Sequence, residues 1–343
     1  MVSATNTNQT GFLRYDRTVG MTTMRGRGFY YPWDSAIGPN GRIYTVSRSF
    51  ERAPADTVRV TVLNSNGEYF GVFGAKGEGD GEFMWPNSIA IDRDGRIYVT
   101  DEHLSRITVF SPNGDFISNW GTRGTDEGHL NGPSGITVDA GDNVLIADAQ
   151  NHRIQRFTKN GLFLSGFGNH GQGEGELNLP WGVTTDSENN VYVADWGNDR
   201  IQKFSSDGHF LKQFGSPGRE DGQLTRPSGV VVDREGYVYI ADWGNERIQV
   251  LNSDGVFIQK LRGSATHSTW AEDFLRINVE EAEARAKANL EPNIEFFNDD
   301  PHEESSHIEK YFWGPTSVIL DGDSNLFITE ANRHRIQVYV KHV

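Results

Sequence analysis

The chain has no cysteine among its 343 residues. That absence removes disulfides, thiolate-bound zinc, iron–sulfur clusters and a cysteine nucleophile in one step. Positive charge is scarce too: 32 Lys and Arg stand against 47 Asp and Glu, a formal charge of −15. Nucleic acids and anionic membranes reward basic surfaces, so neither is an expected partner. No stretch approaches the ~18 consecutive apolar residues of a membrane-spanning helix. The N-terminal Met-Val-Ser-Ala-Thr-Asn-Thr-Asn-Gln-Thr has neither the charged nor the apolar part of a secretory signal, and a cytoplasmic location is the expectation.

Familiar chemical motifs are also missing. The ten histidines show no metal-site spacing, and no Gly-x-Ser-x-Gly elbow occurs. Gly171-x-Gly173-x-Gly175 looks like a phosphate loop, but similar glycine-rich stretches recur along the chain without a following helix, which marks them as connectors. Asp321-Gly-Asp-Ser-Asn325 begins like an EF-hand and then lacks its glycine and its final glutamate.

What is abundant is glycine, 39 residues, beside 11% aromatics. That combination implies many turns around a packed core. The turns are periodic. Pro86, Pro133, Pro180 and Pro227 are each 47 residues apart, and each is followed by an apolar alternation ending in Asp92, Asp139, Asp186 or Asp233. Pro32 and Pro315 open the same pattern after insertions of 7 and 41 residues, giving six units. A unit reads as four short strands, a to d in chain order from the proline, with Asn-Gly or Asp-Gly at hairpin turns. Length alone would suggest two or three domains, but six four-stranded units predict one all-β, six-bladed propeller over 1–343. The last unit lacks its fourth strand, and Gly11 to Val19 supply the missing one, closing the ring and removing open edges.

Pro180-x-Gly182-Val183, Val193-Ala-Asp195 and Asn198-x-Arg200-Ile201-Gln202, repeated at Pro227, Gly229, Ala241-Asp242, Asn245 and Arg247 to Gln249, resemble NHL repeats. The resemblance spans roughly residues 29 to 343 and implies the propeller fold. It leaves function open, since such propellers include protein-binding modules, RNA-binding modules and enzymes. In motif the chain is similar to the peptidyl-hydroxyglycine lyase propeller. That family places zinc-binding His after the blade proline in three blades, and here those six positions hold no His. Two echoes remain. Arg48 falls where that family has a functional Arg, and Asp34 is the only acidic residue two after a blade proline, a position from which that family reaches a channel calcium. The resemblance thus points to calcium or zinc in the central channel as the cofactor to look for, with Asp34 as its ligand.

Both departures from the period fall on one face. The first lies in the blade 1 b–c loop, around Arg48 to Asp56, and the second in the last d–a linker, about 264–309. The larger is predicted to be helical, with N-caps at Thr269 and Asn278 and i,i+4 pairs Glu281/Arg285 and Glu283/Lys287. With 12 acidic and 3 basic residues it carries −9. It reads either as a lid over the channel or as a decoration packed on the rim.

The same face gathers candidate site residues. The positions after the prolines include Trp33, Asn87 and Trp181, and those after the strand-b acids include Arg48, Glu102, Trp196 and Trp243, with Trp313 nearby. The tryptophans form an aromatic pocket for an apolar or cationic ligand, or wedge neighbouring blades apart. Arg48 breaks the repeat, because its unit has Ser47 where others have Asp or Glu. It suits a carboxylate or oxyanion, and Glu102 with His103 suits proton transfer. The functional expectation is a small-molecule pocket at the channel mouth, with lyase or hydrolase chemistry on a carboxylate-bearing or aromatic substrate. The alternative is a non-catalytic scaffold whose mouth and acidic insertion engage a protein partner. The regular Asp195/Arg200 type of pair reads as structural.

Overall fold

Residues rich in Val, Ile, Tyr and Phe, alternating and punctuated by glycine turns, form β-hairpins because one face of each strand is buried. The computed structural model describes residues 11–48, 54–293 and 300–342. Its six four-stranded antiparallel sheets are the blades. Blade 4 is representative, with strands Pro180–Thr185, Val191–Asp195, Arg200–Phe204 and Phe210–Phe214 running from the axis outward. Strands a to d below follow that order.

The last blade joins Pro315–Leu320, Leu326–Glu330 and Arg335–Lys341 to the N-terminal strand Leu13–Val19. The pairing is antiparallel, with Tyr15 opposite Tyr339. The expected ring closure is therefore observed. No helix is long and apolar enough to cross a membrane among the described residues.

The core does not sit at the axis. Six clusters of buried side chains lie between neighbouring blades. Between blades 1 and 2, for instance, Val46, Val60 and Phe83 pack with Ile97, Val99 and Phe110. Near the axis, glycine permits close approach of the inner strands. A Cβ on Gly135 would lie 2.3 Å from the carbonyl oxygen of Trp181, and one on Gly182 would lie 2.8 Å from that of Ser228.

The repeat's polar signature is consumed inside the blades. Arg200 Nε meets Asp195 Oδ2 at 2.8 Å, with both side chains buried. Its Nη2 reaches the carbonyls of Gly173 and Glu176 in the preceding linker, and Gln202 ties that linker to Asp195. Blades 3, 5 and 6 repeat the ion pair with Arg153, Arg247 and Arg335. The pairing does not extend to every blade. In blade 2 Asp101 accepts from the backbone N–H groups of Met84, Trp85 and Leu104, while Arg106 donates to carbonyls of its linker. In blade 1 Arg59, opposite Ser47, donates to carbonyls at Gly26 and Gly28.

The acidic insertion is helical, with α1 Thr269–Ile277, α2 Val279–Lys287 and α3 Pro301–His307. Ser268 rather than Thr269 caps α1, accepting from the N–H of Ala271. Asn278 is the N-cap residue of α2 but makes no side-chain cap bond there; its amide donates back to the Phe274 carbonyl. Lys287 meets Glu283 at 3.9 Å, whereas Arg285 turns to Glu309. Trp270 is fully buried among Val19, Phe29, Ile43 and Leu63, in the seam between blades 6 and 1. Blades 1 to 4 end strand d with Phe73, Trp120, Phe167 and Phe214, each near the c–d turn glycine of the next blade. Blade 6 ends with the smaller Val19, and Trp270 takes the aromatic's place beside Gly67. α1 is therefore a plug in the outer wall.

Candidate functional site

The innermost strands enclose a channel cavity of about 250 Å³. No residue lining it comes from the insertion. Trp33, Asn87 and Trp181 line it, as expected of the positions after the blade prolines. Trp196, Trp243 and Trp313 are not among its lining residues. Trp196 packs on Trp181 with ring centroids 6.2 Å apart and lies under Arg226. Trp313 contacts His302 and Arg333.

Among the described residues, Asp34 is the only ionisable one in the channel lining. Ser88 Oγ donates to its Oδ2, as does the N–H of Ile89 at 3.0 Å, and the N–H of Ser35 reaches Oδ1 at 2.8 Å. Burial pushes its carboxyl above the usual carboxylate range, and these bonds oppose the rise. A calcium or zinc site needs several oxygen or nitrogen ligands converging on one point. Here a single carboxylate is surrounded by donors already directed at it, and no cluster of three metal-binding side chains occurs among the described residues. The residues present do not fit a divalent cation.

At the mouth over blades 1 and 2 the broken repeat builds something else. Strand b of blade 1, Arg42–Ser47, delivers Arg48, whose N–H is fixed by the Tyr31 carbonyl at 3.0 Å. Strand b of blade 2, Ile97–Asp101, delivers Glu102, held likewise by the Trp85 carbonyl. The two side chains meet, Arg48 Nη2 to Glu102 Oε2, at 2.7 Å. Their side chains keep 17% and 21% exposure, enough for a ligand to reach them. The guanidinium carbon lies 4.9 Å from the Trp33 ring and 5.3 Å from the Trp85 ring. Asn87 Nδ2 stands 3.4 Å from the same Glu102 oxygen. An indole-flanked ion pair at a channel mouth offers a charged handle, flat apolar walls and a carboxylate that accepts protons.

His103 does not join this pair. It is exposed, and its ring lies 5.7 Å from that of Trp85. Trp85 was not picked out by its sequence position. It directly precedes a blade proline, as Tyr31 does in blade 1, and that shared place was the available signal. Residues 49–53 of the extended b–c loop lie outside the described residues.

A second ring of contacts holds neighbouring blades together near this face. In blades 3 to 6 the left-handed turn residue after strand b accepts from the N–H before the next blade's proline. His152 Nδ1 takes the N–H of Leu179 and Asp199 that of Arg226. Glu246 takes that of Gly314 and His334 Nδ1 that of Tyr31. Burial lowers the His334 pKa to about 4, which keeps the ring neutral and able to accept. These histidines, apparently idle in sequence, are joints.

The NHL-repeat family matches residues 130–157, 177–204 and 224–251. A family described as "6-bladed beta-propeller" matches residues 55–120. The chain thus carries NHL repeats in blades 3 to 5 and folds as a six-bladed β-propeller. No curated protein matches it. Among solved structures, a catalytically inactive virginiamycin B lyase from Staphylococcus aureus with quinupristin is 14% identical, with a TM-score of 0.58 over 96% of this chain and 100% of that one. A Bacteroides thetaiotaomicron protein of unknown function is 17% identical, with a TM-score of 0.62 over 96% of this chain and 76% of that one. A nidogen/laminin complex is 19% identical, with a TM-score of 0.50 over 67% and 79%. At these identities the likeness is one of fold.

Proposed function

We propose that this NHL-repeat propeller binds a small organic molecule at the channel mouth over blades 1 and 2. The observation that carries this is the Arg48–Glu102 pair set beside two indole rings, at the place where the blade pattern is broken. A ligand carboxylate would exchange with Glu102 for the Arg48 guanidinium, and an aromatic or apolar body would lie on Trp33 and Trp85.

Lyase chemistry is the reaction class that suits this set best, and lyases are found among solved propellers of this fold. Released from Arg48, Glu102 takes a proton from the carbon beside the substrate's carbonyl. The C–H electron pair becomes the new double bond and the leaving group departs with its own pair. Arg48 holds the developing negative charge. Hydrolysis is the competing class, and incorporation of labelled water into the product separates the two.

A metabolite-binding screen of wild type against Arg48→Ala and Glu102→Gln tests the site. Ligands should be weakened at least about tenfold by Arg48→Ala. Hits that bind all three proteins equally would exclude the mouth. The scaffold reading rests on the α1–α2 corner, where Ile277 and Val279 are 76% and 60% exposed. Partners lost on removing the insertion, with metabolite binding intact, would favour it.

A further inference from the structure

A larger cavity, of about 610 Å³, lies between α1, α2 and the end of the closing strand. It is separate from the channel. Met21, Phe274, Leu275, Ala284, Ala288 and Leu290 supply its apolar walls. Although the insertion carries −9 overall, the polar end of this cavity gathers Arg285, Arg333 and Arg335.

Two of these arginines are matched by carboxylates. Arg285 pairs with Glu309, and Arg335 with Glu330 at 2.8 Å. Arg333 makes no ion pair among the described residues. Its Nη2 donates only to neutral carbonyls, of Ser305 at 2.7 Å and of Ser306 and Ile308 at 3.2 Å. Its Nε is buried with no hydrogen-bond partner. Arg333 also departs from the repeat. It occupies the position of Asn151, Asn198 and Asn245, whose amides tie the acidic residue of strand b to the preceding linker. The position tolerates other residues, as Leu104 in blade 2 shows; Arg333 reaches the linker carbonyls as those amides do and adds a charge that enters no ion pair among the described residues. Nearby, burial would raise the Glu309 carboxyl, yet Arg285, Arg335 and Arg333 together hold it below the usual range. Among the residues lining the cavity, the three arginines stand against two carboxylates, Glu281 and Glu309.

We propose that this cavity binds a small amphipathic carboxylate, with its head toward Arg333 and Arg285 and its tail against Met21, Phe274 and Leu275. Charge complementarity fixes the head, and the apolar walls reward a chain or ring by the area they remove from water.

Titration calorimetry with decanoate below its micelle concentration tests this, with decanol and acetate as controls. Decanoate should bind saturably, and decanol and acetate at least about tenfold more weakly. Arg333→Asn, which restores the repeat's residue, should weaken decanoate about tenfold while the unfolding temperature is retained. Ala284→Trp fills the cavity and should abolish binding. Arg48→Ala should leave it unchanged, which separates this site from the mouth. Decanol binding as well as decanoate, or undiminished binding to Arg333→Asn or Ala284→Trp, would overturn the assignment. So would absence of saturable binding to wild type, or loss of binding in Arg48→Ala.

Discussion

Blades 3 to 5 and blades 1 and 2 are built from the same unit and use charge in opposite ways. In blades 3 to 5, where the NHL repeats are recognised, each acid is fully buried and pairs with the arginine of its own blade, whose side chain keeps 6% to 17% exposure. In blades 1 and 2, Arg48 reaches across the blade boundary to Glu102, and the pair stays partly open at the channel mouth. A charge that the fold requires is buried and duplicated. The Arg48–Glu102 pair is single, crosses a seam and stays partly open to solvent. This contrast sets the regular pairs apart from the proposed site without appeal to any relative.

It can be broken at several points. The largest effect should come from Asp195→Ala, which strands Arg200 as a buried, unpaired charge. About 3–5 kcal/mol of stability should be lost, measured by denaturant unfolding. A loss under about 1 kcal/mol would mean that the regular pairs are not what holds the blades.

The second test uses pH at the entrance to blade 1. His334 has a pKa of about 4 in the folded chain against ~6.5 when unfolded. The unfolded chain therefore binds the extra proton first as pH falls, and stability drops between pH 6.5 and 4. The loss should reach at most about 3 kcal/mol, and His334→Asn should flatten this part of the profile. The corresponding joint of blade 4 uses Asp199 and has no imidazole to protonate.

Third, Arg48→Ala should cost only about 1 kcal/mol, because a partly exposed pair contributes little, while ligand affinity falls at least about tenfold as stated above. A large stability loss without an affinity change would move Arg48 into the scaffold. Asn87→Ala is the smallest, about 0.5 kcal/mol, since its contact with Glu102 is long.

The ring was legible because packed blades reuse residues: proline opens strand a in all six, an acid ends strand b in five, and Arg-Ile-Gln stands in strand c in four. The closing strand was legible for the same reason, as a missing quarter of one unit. Arg48 and Glu102 stood out as breaks in that pattern, and they meet. His103 did not follow, because adjacent residues at the end of a strand point to different sides. Trp85 was hidden by its position before a proline, outside the two rings of positions that the repeat suggested.

The insertion's place had a topological cause. Strand d is the outermost strand, so a d–a linker starts at the rim and only later returns to the axis. An insertion near its start meets the outer wall first, and Trp270 finds there the gap left by Val19. Helix content and charge could be read from composition; the gap could not, because it depends on two segments about 250 residues apart.

The closing strand has a kinetic side. Every other blade is assembled from strands near one another in sequence, whereas Leu13–Val19 waits for partners about 320 residues further on. At ~5–20 residues per second of synthesis, the first strand made stands unpaired for roughly 15–60 s. For that interval the growing arc has two raw edges and no clasp. Ring closure is then the slow, long-range step, and Leu13–Val19 is an open edge until Arg335–Lys341 emerges.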